Sequence, residues 1–366
     1  MSDERRALIT GAAGQDGYYL SELLISQGWR VFGLTLRHSD GQHDVFPGVE
    51  IIEGDITDMD GLRLVFSTVK PHEVYNLAAQ SHAGLSFKFP CMTAEVNYIG
   101  ALHILELCQS YGAALYQASS SEMFGDTPGP LNELSPMEPS NPYAVAKLAA
   151  HKMVRLYRRS YCMRAVAGIL FNHESPRRSP DFVTQKVCTA AARVSLGLSS
   201  NLKLGYLDGT RDWGHARDYV RAMPMMLRKE KPDDYVIATG ESHTVRELIF
   251  EAERVIGQTI PYEIDQQFMR PRETAPLRAD PSRAREELGW EPKIRFSELV
   301  KEMVEAAAEK LRREHFAQSF VDVPGRGYVI PNSGWGSQGL GQTYLDKTPG
   351  PRPDVPPQGP MPKPRI

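Results

Sequence analysis

Ala7-Leu8-Ile9-Thr10-Gly11-Ala12-Ala13-Gly14-Gln15-Asp16-Gly17 reads as a short apolar strand running into a glycine-spaced turn and then a helix. Glycines are needed where the backbone turns tightly, where it approaches a pyrophosphate, and where helix and strand pack closely. The helix N-terminus then offers free N–H groups and partial positive charge to phosphates. Gly11, Gly14, Gln15, Asp16 and Gly17 are therefore expected to hold a dinucleotide. The spacing G-x-x-G-x-x-G differs from the G-x-G-x-x-G of ordinary dehydrogenases.

About twenty residues on, the second strand ends Thr35-Leu36-Arg37. An acidic residue there would hold the ribose 2′-hydroxyl of NAD, whereas an Arg accommodates the 2′-phosphate of NADP. Arg37 therefore points to NADP. Asp55, after the third strand, is placed to accept from the adenine amino group, or to cap the helix behind it.

Outward from this turn, β-rich runs alternate with helical ones. Strands are expected at Ala7–Thr10, Arg30–Thr35, Val49–Glu53, Glu73–Leu77, Ala113–Ala118 and Ala165–Ile169. Helices are expected at Tyr18–Gln27, Met59–Ser67, Thr93–Tyr111 and Tyr143–Tyr161. Alternation of this kind predicts an α/β fold, a Rossmann-type doubly wound parallel sheet, binding ligands where the strands end. Residues 1–172 form its NADP-binding domain, with 212–240 (helix Ala216–Lys229, strand Tyr235–Ala238) returning to it. A smaller α/β lobe for substrate takes 173–211 and 241–314, including helices Thr244–Val255 and Phe296–Glu314. From about His315 the chain is rich in Pro and Gly, and residues 315–366 read as a tail unable to bury a core of their own.

Composition excludes several partners. With net charge −3 and pI about 6.4, no bulk positive field recruits nucleic acid or an anionic membrane. No apolar run approaches a membrane span, and the N-terminus lacks a signal-peptide core. Cys91, Cys108, Cys162 and Cys188 are scattered without metal-ligand spacing, so they read as reduced residues of a cytoplasmic protein with no metal site.

The chemistry sits in Ser119-Ser120-Ser121-Glu122 and Tyr143-Ala-Val-Ala-Lys147. A Tyr and a Lys four apart lie on one side of a helix, here one that Ser140 or Asn141 can cap and Pro142 can begin. A free Tyr titrates near pH 10, and using it near neutrality takes about 4 kcal/mol of phenolate stabilisation. Lys147 and an oxidised nicotinamide are expected to supply it. Ser120 would share a hydrogen bond with the hydroxyl that Tyr143 deprotonates. Glu122 adds a second base, which a simple dehydrogenase or 4-epimerase does not need. Once C4 of a hexose is a ketone, its C5 proton is acidic; a carboxylate can take it and assist loss of the C6 hydroxyl as water.

These residues resemble the extended short-chain dehydrogenase/reductase family and, within it, the GDP-mannose 4,6-dehydratases. The resemblance covers about residues 6 to 312. It rests on Asn76-Leu-Ala-Ala-Gln-Ser-His82, Tyr116-Gln-Ala-Ser-Ser-Ser-Glu122, Ser140-Asn-Pro-Tyr-Ala-Val-Ala-Lys147, Gly168-Ile-Leu-Phe-Asn-His-Glu-Ser-Pro-Arg-Arg178, Arg211-Asp-Trp-Gly-His-Ala216 and Phe268-Met-Arg-Pro-Arg-Glu273. It implies that Ser120, Glu122 and Tyr143 are catalytic and that Lys147 supports both cofactor and Tyr143. Asp55, Ile56, Leu77, Ala78, Ala79, Gln80, Ser81, His173 and Arg178 would reach NADP. Ser86, Asn172, Lys186, Arg211, Arg270 and Glu273 would hold the GDP-sugar, whose diphosphate suits Arg forks and Lys.

Three positions depart from that pattern. Ser120 stands where the family has Thr, Met92 where it has a tyrosine near the ribose, and the stretch from Arg37 to Val49 is shorter than the family's intersubunit arm. A homodimer is therefore as compatible as a homotetramer, and room is left for a GDP-D-glycero-manno-heptose as the alternative to GDP-mannose, the substrate that the resemblance implies. A nucleotide-sugar 4-epimerase or reductase on the same frame would not require Glu122. A non-catalytic NADP-binding regulator would not require the Tyr/Lys pair.

Replacing Arg37 by Ala should weaken NADP roughly tenfold to a hundredfold, the range of a charge-assisted hydrogen bond, and leave NAD nearly unaffected. Titration of both dinucleotides checks this, and equal losses would show that Arg37 does not read the 2′-phosphate.

Overall fold

The computed structural model describes residues 4–36, 44–268 and 278–318, and the strands 321–323 and 327–329. Arg37, Arg270 and Glu273 lie outside the described residues. The chain divides into two compact units, Met1–Glu314 and His315–Ile366. In the second unit, Val321–Val323 and Gly327–Val329 pair antiparallel.

Seven parallel strands build the central sheet: β1 Arg6–Thr10, β2 Arg30–Thr35, β3 Glu50–Glu53, β4 Glu73–Asn76, β5 Ala114–Ser120, β6 Ala165–Leu170 and, at its edge, Tyr235–Ile237. Their spatial order is β3-β2-β1-β4-β5-β6 followed by the edge strand. The order reverses beside β1, the switch point where such sheets bind ligands. Strands β4 and β6 are buried along their whole length, as parallel strands covered on both faces must be.

Alternation along each strand feeds two cores. Ile9, Val31, Tyr75, Tyr116 and Val166 pack with Leu20, Leu24, Tyr219, Met223 and Trp290 on one face. Leu8, Phe32, Leu34, Val74, Leu115 and Ala167 pack with Leu62, Phe66, Ile104 and Val154 on the other. Each such side chain fully buried is worth about 1.5–3 kcal/mol. A third cluster joins Val187, Leu202, Leu204, Trp213, Leu248, Ile249, Val300 and Met303 outside the sheet.

The helices begin where their caps dictate. Helix α1, Gln15–Ser26, starts three residues earlier than expected, at an N-cap, Gly14, with extended backbone. Gly17 therefore lies inside the helix rather than before it. A Cβ on Gly17 would stand 2.6 Å from both Ala12 Cα and Gly11 O, so helix and turn touch through glycine alone. Helix α2 is Met59–Val69, capped by Asp58. The single helix expected over Thr93–Tyr111 is instead broken: α3 Ala83–Ser86 and α4 Pro90–Ala94 lead to a wider π-type turn at Glu95–Gly100, then α5 Ala101–Tyr111. The buried Asn97 in that turn accepts from Gln80 N at 2.8 Å and donates to Gln80 O at 3.0 Å. The wide turn is the local cost of tying the loop after β4 to the helix.

Helix α6, Pro142–Ser160, is capped by Asn141, whose side chain accepts from Ala144 N, with Pro142 at its first position. Beyond β6 come the short strand β7 Asn172–Glu174, α7 Val183–Ser195 and β8 Leu202–Leu204. They are followed by β9 Thr210–Arg211, β10 Trp213–His215 and α8 Ala216–Leu227. β7 and β10 pair in parallel, so His173 lies opposite Gly214.

Gly17→Ala should destabilise the protein by about 2 kcal/mol or more, because overpacked backbone has nowhere to move. Thermal unfolding measures this; an unchanged midpoint would show that α1 can shift away from Ala12 freely.

Candidate active site

The carboxyl ends of β1, β4, β5 and β6 open into a cleft of about 820 Å³. Ser120, Glu122, Tyr143 and Lys147 all line it. Strand β5 delivers Ser120 at its last position, and the backbone then turns through Ser121–Phe124, with Ser120 Oγ accepting from Glu122 N at 3.2 Å. Helix α6 brings Tyr143 and Lys147 to the same wall, both under a tenth exposed. Glu122 is half-buried, and Asn141 Nδ2 donates to its Oε2 at 3.1 Å.

Lys147 is held by the backbone of β5. Its Nζ donates to the Ala118 carbonyl at 3.0 Å and stands 5.9 Å from the Tyr143 ring centre. Burial pushes the Tyr143 phenol up to about 12, outweighing the hydrogen bond with Ser120 and the charge of Arg178. Burial likewise pulls the Lys147 ammonium down to about 8, against the charge of Asp16. Lys147 by itself therefore does not bring Tyr143 to neutrality: a desolvated ammonium seeks the nearest carbonyl oxygen.

On the cofactor side, Gly14 caps α1 without any side-chain hydrogen bond, so the first-turn N–H groups face no side-chain acceptor of the cap. A Cβ on Gly11, whose φ is +69°, would stand 2.9 Å from Ala78 N. A bare helix N-terminus beside a glycine surface fits a pyrophosphate. Leu77, Ala79, Ser81, Asp16, His173 and Arg178 line the same cleft. Gln15 is committed to protein partners, donating to His173 O at 3.0 Å and accepting from Ser175 Oγ at 2.7 Å. Gln80 is held by Asn97, Ile56 is buried, and the exposed Asp55 accepts from Thr57 N and Oγ1, both at 2.9 Å, while Asp58 caps the helix.

Asp16 and His173 form an ion pair at 2.7 Å, the imidazole also bonding to Phe171 O and stacking on Tyr219 at 4.8 Å. Burial alone would raise the Asp16 carboxyl, but the charge and hydrogen bond of His173 hold it below its usual value. Burial would lower His173, and Asp16 overcomes that to hold it above its usual value. Arg178 reaches Glu174 at 3.1 Å and lies over the Phe182 ring at 3.5 Å.

Among the substrate candidates, Asn172, Lys186 and Arg211 line the cleft, with Lys186 over the Phe268 ring at 4.3 Å and Arg211 Nη1 donating to Thr210 O at 2.8 Å. Ser86 does not join them: it is fully buried, its hydroxyl donating to Ala83 O at 2.6 Å. A short helix takes that hydroxyl back into its own turn. Sequence reasoning passed over His82, Phe182, Lys203 and Tyr206, which also line the cleft. Of these only His82, inside a quoted motif, carried any signal. The link from Asn141 to Glu122 was also missed, because Asn141 was read only as a cap.

The family model for GDP-mannose 4,6 dehydratase matches residues 8–303. The chain is 46% identical over 328 residues to GDP-mannose 4,6 dehydratase 1 of Arabidopsis thaliana, covering 84% of this chain and 91% of that protein. It is 40% identical over 342 residues to GDP-mannose 4,6 dehydratase of Homo sapiens, covering 84% and 92%. Among solved structures, UDP-glucose 4-epimerase of Thermus thermophilus in complex with NAD superimposes with a TM-score of 0.74 at 28% identity, covering 82% of this chain and 98% of that one.

The Asp16–His173 pair sets a pH window for stability. His173 is raised, so its share is complete below the unfolded imidazole value of about 6.5 and is lost as pH rises through the folded value. Asp16 is lowered, so its share is complete above about 3.9 and is lost as pH falls through the folded value. The difference in urea midpoint between the wild type and His173→Gln should be largest near pH 6, at roughly the top of that window, and shrink by about pH 9. A difference that stays constant would mean the pair is not ionised.

Proposed function

The chain belongs to the GDP-mannose 4,6-dehydratase family, and from that premise we propose how its cleft turns GDP-mannose into a GDP-4-keto-6-deoxy sugar. The protein is a hydro-lyase that works with a pyridine nucleotide. We take that nucleotide to be NADP, on Arg37 and on the family to which the chain belongs. When bound, the nicotinamide would supply a hydride acceptor for C4 and a hydride donor for C6.

In this reading Tyr143, hydrogen-bonded with Ser120, takes the proton of the C4 hydroxyl. Glu122 then takes the C5 proton, made acidic by the new ketone, and gives it to the departing C6 hydroxyl, which leaves as water. The proton held by Tyr143 returns to C5 when C6 is reduced, so protons and electrons balance within one turnover. Lys186 and Arg211, with Arg270 and Glu273, are assigned to the nucleotide sugar, and Asp16, His173 and Arg178 to the cofactor. The observation that carries the reading is that a carboxylate and a Ser-bonded phenol share one cleft wall, two bases serving adjacent carbons.

A homodimer is the assembly we propose. Phe87, Phe89, Met92 and Ile99 are exposed on the α3–α5 segment, and Val145 and Leu156 are exposed on α6, which packs against it. Val145 and Leu156 lie three turns apart on one face, and an apolar surface of this kind marks an interface.

The test is incubation of wild type and Glu122→Gln with GDP-mannose and, separately, GDP-manno-heptose, following loss of one water by mass. The wild type should dehydrate GDP-mannose. Glu122→Gln should bind cofactor and substrate yet lose about a hundredfold or more in rate, since a neutral amide cannot take the proton. Unchanged dehydration by this variant would remove Glu122 from the mechanism, and faster turnover of the heptose would reassign the sugar.

A further inference from the structure

Asn141 does two things with one side chain. Its Oδ1 accepts from Ala144 N at 2.8 Å, capping the helix that carries Tyr143 and Lys147. Its Nδ2 donates to Glu122 Oε2 at 3.1 Å. The residue is buried, and the amide can be placed only this way round. Turned over, its oxygen would face the Glu122 carboxylate and its NH₂ group would face the Ala144 N–H.

We infer that Asn141 is a positioning residue for the dehydration step, tying the carboxylate of Glu122 to the first turn of the helix that bears Tyr143. The inference rests on reading Glu122 as the C5 base. The two bases come from different elements: Glu122 sits on the turn after β5, Tyr143 on α6. The hydrogen bond narrows the rotamers open to the carboxylate, and each misdirected rotamer removes it from C5. One amide couples both bases to a common backbone.

The choice of residue type supports this. Ser, Thr, Asp and Asn all cap helices well. Among these Asp has no donor, Ser and Thr have a single hydroxyl for both roles, and Asn alone carries acceptor and donor on separate atoms. A cap alone would leave the choice open; a cap that must also orient a carboxylate favours Asn. The burial of Asn141 beside a half-buried Glu122 makes the donor matter more, because few waters can replace it.

The experiment compares holoenzyme bearing Asn141→Ser or Asn141→Asp with wild type and with Glu122→Gln. Both Asn141 variants keep a capping oxygen; Ser loses the separate amide donor and has one shorter hydroxyl for both roles, while Asp loses any donor and adds a like charge facing Glu122. Thermal unfolding should show midpoints close to wild type for Ser and Asp, because the cap survives. With GDP-mannose, kcat should fall about tenfold to a hundredfold with KM little changed, the loss expected of a hydrogen bond to a charged group. Stopped-flow absorbance should show reduced nicotinamide accumulating, because C4 oxidation proceeds while C5 deprotonation lags. Both variants turning over within twofold of wild type, while Glu122→Gln is inactive, would overturn the inference and leave the role of Glu122 intact. A kcat loss without accumulation of reduced cofactor would also overturn it, placing the effect at C4. Glu122→Gln turning over at the wild-type rate would instead sink the reading on which the inference rests.

Discussion

A buried polar ladder across three strand ends holds the site together. Thr10 Oγ1 donates to Asn76 Oδ1 at 2.6 Å, and Asn76 Nδ2 donates to Gln117 Oε1 at 2.8 Å. The same Thr10 oxygen accepts from Leu77 N and Ala78 N, each at 3.1 Å. All three side chains are buried, so each unmade bond would cost the full desolvation of its group. The ladder registers β1, β4 and β5 at the edge where the phosphate turn, the loop after β4 and the Ser120–Glu122 turn emerge. Gly11 touches Ala78 there, and Lys147 grips Ala118 one residue beyond Gln117. Small displacements of this ladder would reach cofactor and base together.

Much of the fold was legible because its signals are local. The apolar run to Thr10, the glycine turn and the capped helix at Pro142 each carry their cause within a few residues. The helix expected across Thr93–Tyr111 failed for a nonlocal reason. Asn97 bends it to reach Gln80, seventeen positions away, and no periodicity in the helix announces such a bond. The close packing that calls for a glycine was legible at Gly17, but not that the helix begins at Gln15, since its contact with Ala12 exists only once the helix is docked. Ser86 misled in the opposite sense: its neighbours Leu85 and Phe87 line the cleft, while its own hydroxyl turns inward.

The candidate site shows the same division. Which residue types carry chemistry could be read from Tyr143, Lys147 and Glu122, because proton transfer needs those groups. How they are held could not, since Asn141 reaches Glu122 across nineteen positions and Asp16 reaches His173 across 157. The second link has an evident electrostatic purpose. An acidic residue in the first turn of α1 would repel a pyrophosphate at that helix end, and the imidazole of His173, raised by Asp16, stands against that carboxylate to offset it.

Burial acts on the base pair in one direction, which gives the site its order of events. It drives Tyr143 up to about 12 and Lys147 down to about 8, so both groups drift toward their neutral forms. A neutral phenol cannot take a proton, and Lys147 spends its own on the Ala118 carbonyl. The phenolate becomes accessible only when further positive charge stands beside it in a medium of low dielectric, where such charge acts strongly. A hydride acceptor that brings positive charge beside Tyr143 would therefore favour the phenolate at the moment the hydroxyl proton must leave. Glu122 is tied to the same group: its charge adds to the rise of Tyr143, while its carboxylate is oriented by the Asn141 amide. The two bases therefore share one electrostatic setting, so a change at Glu122 reaches the phenol as well.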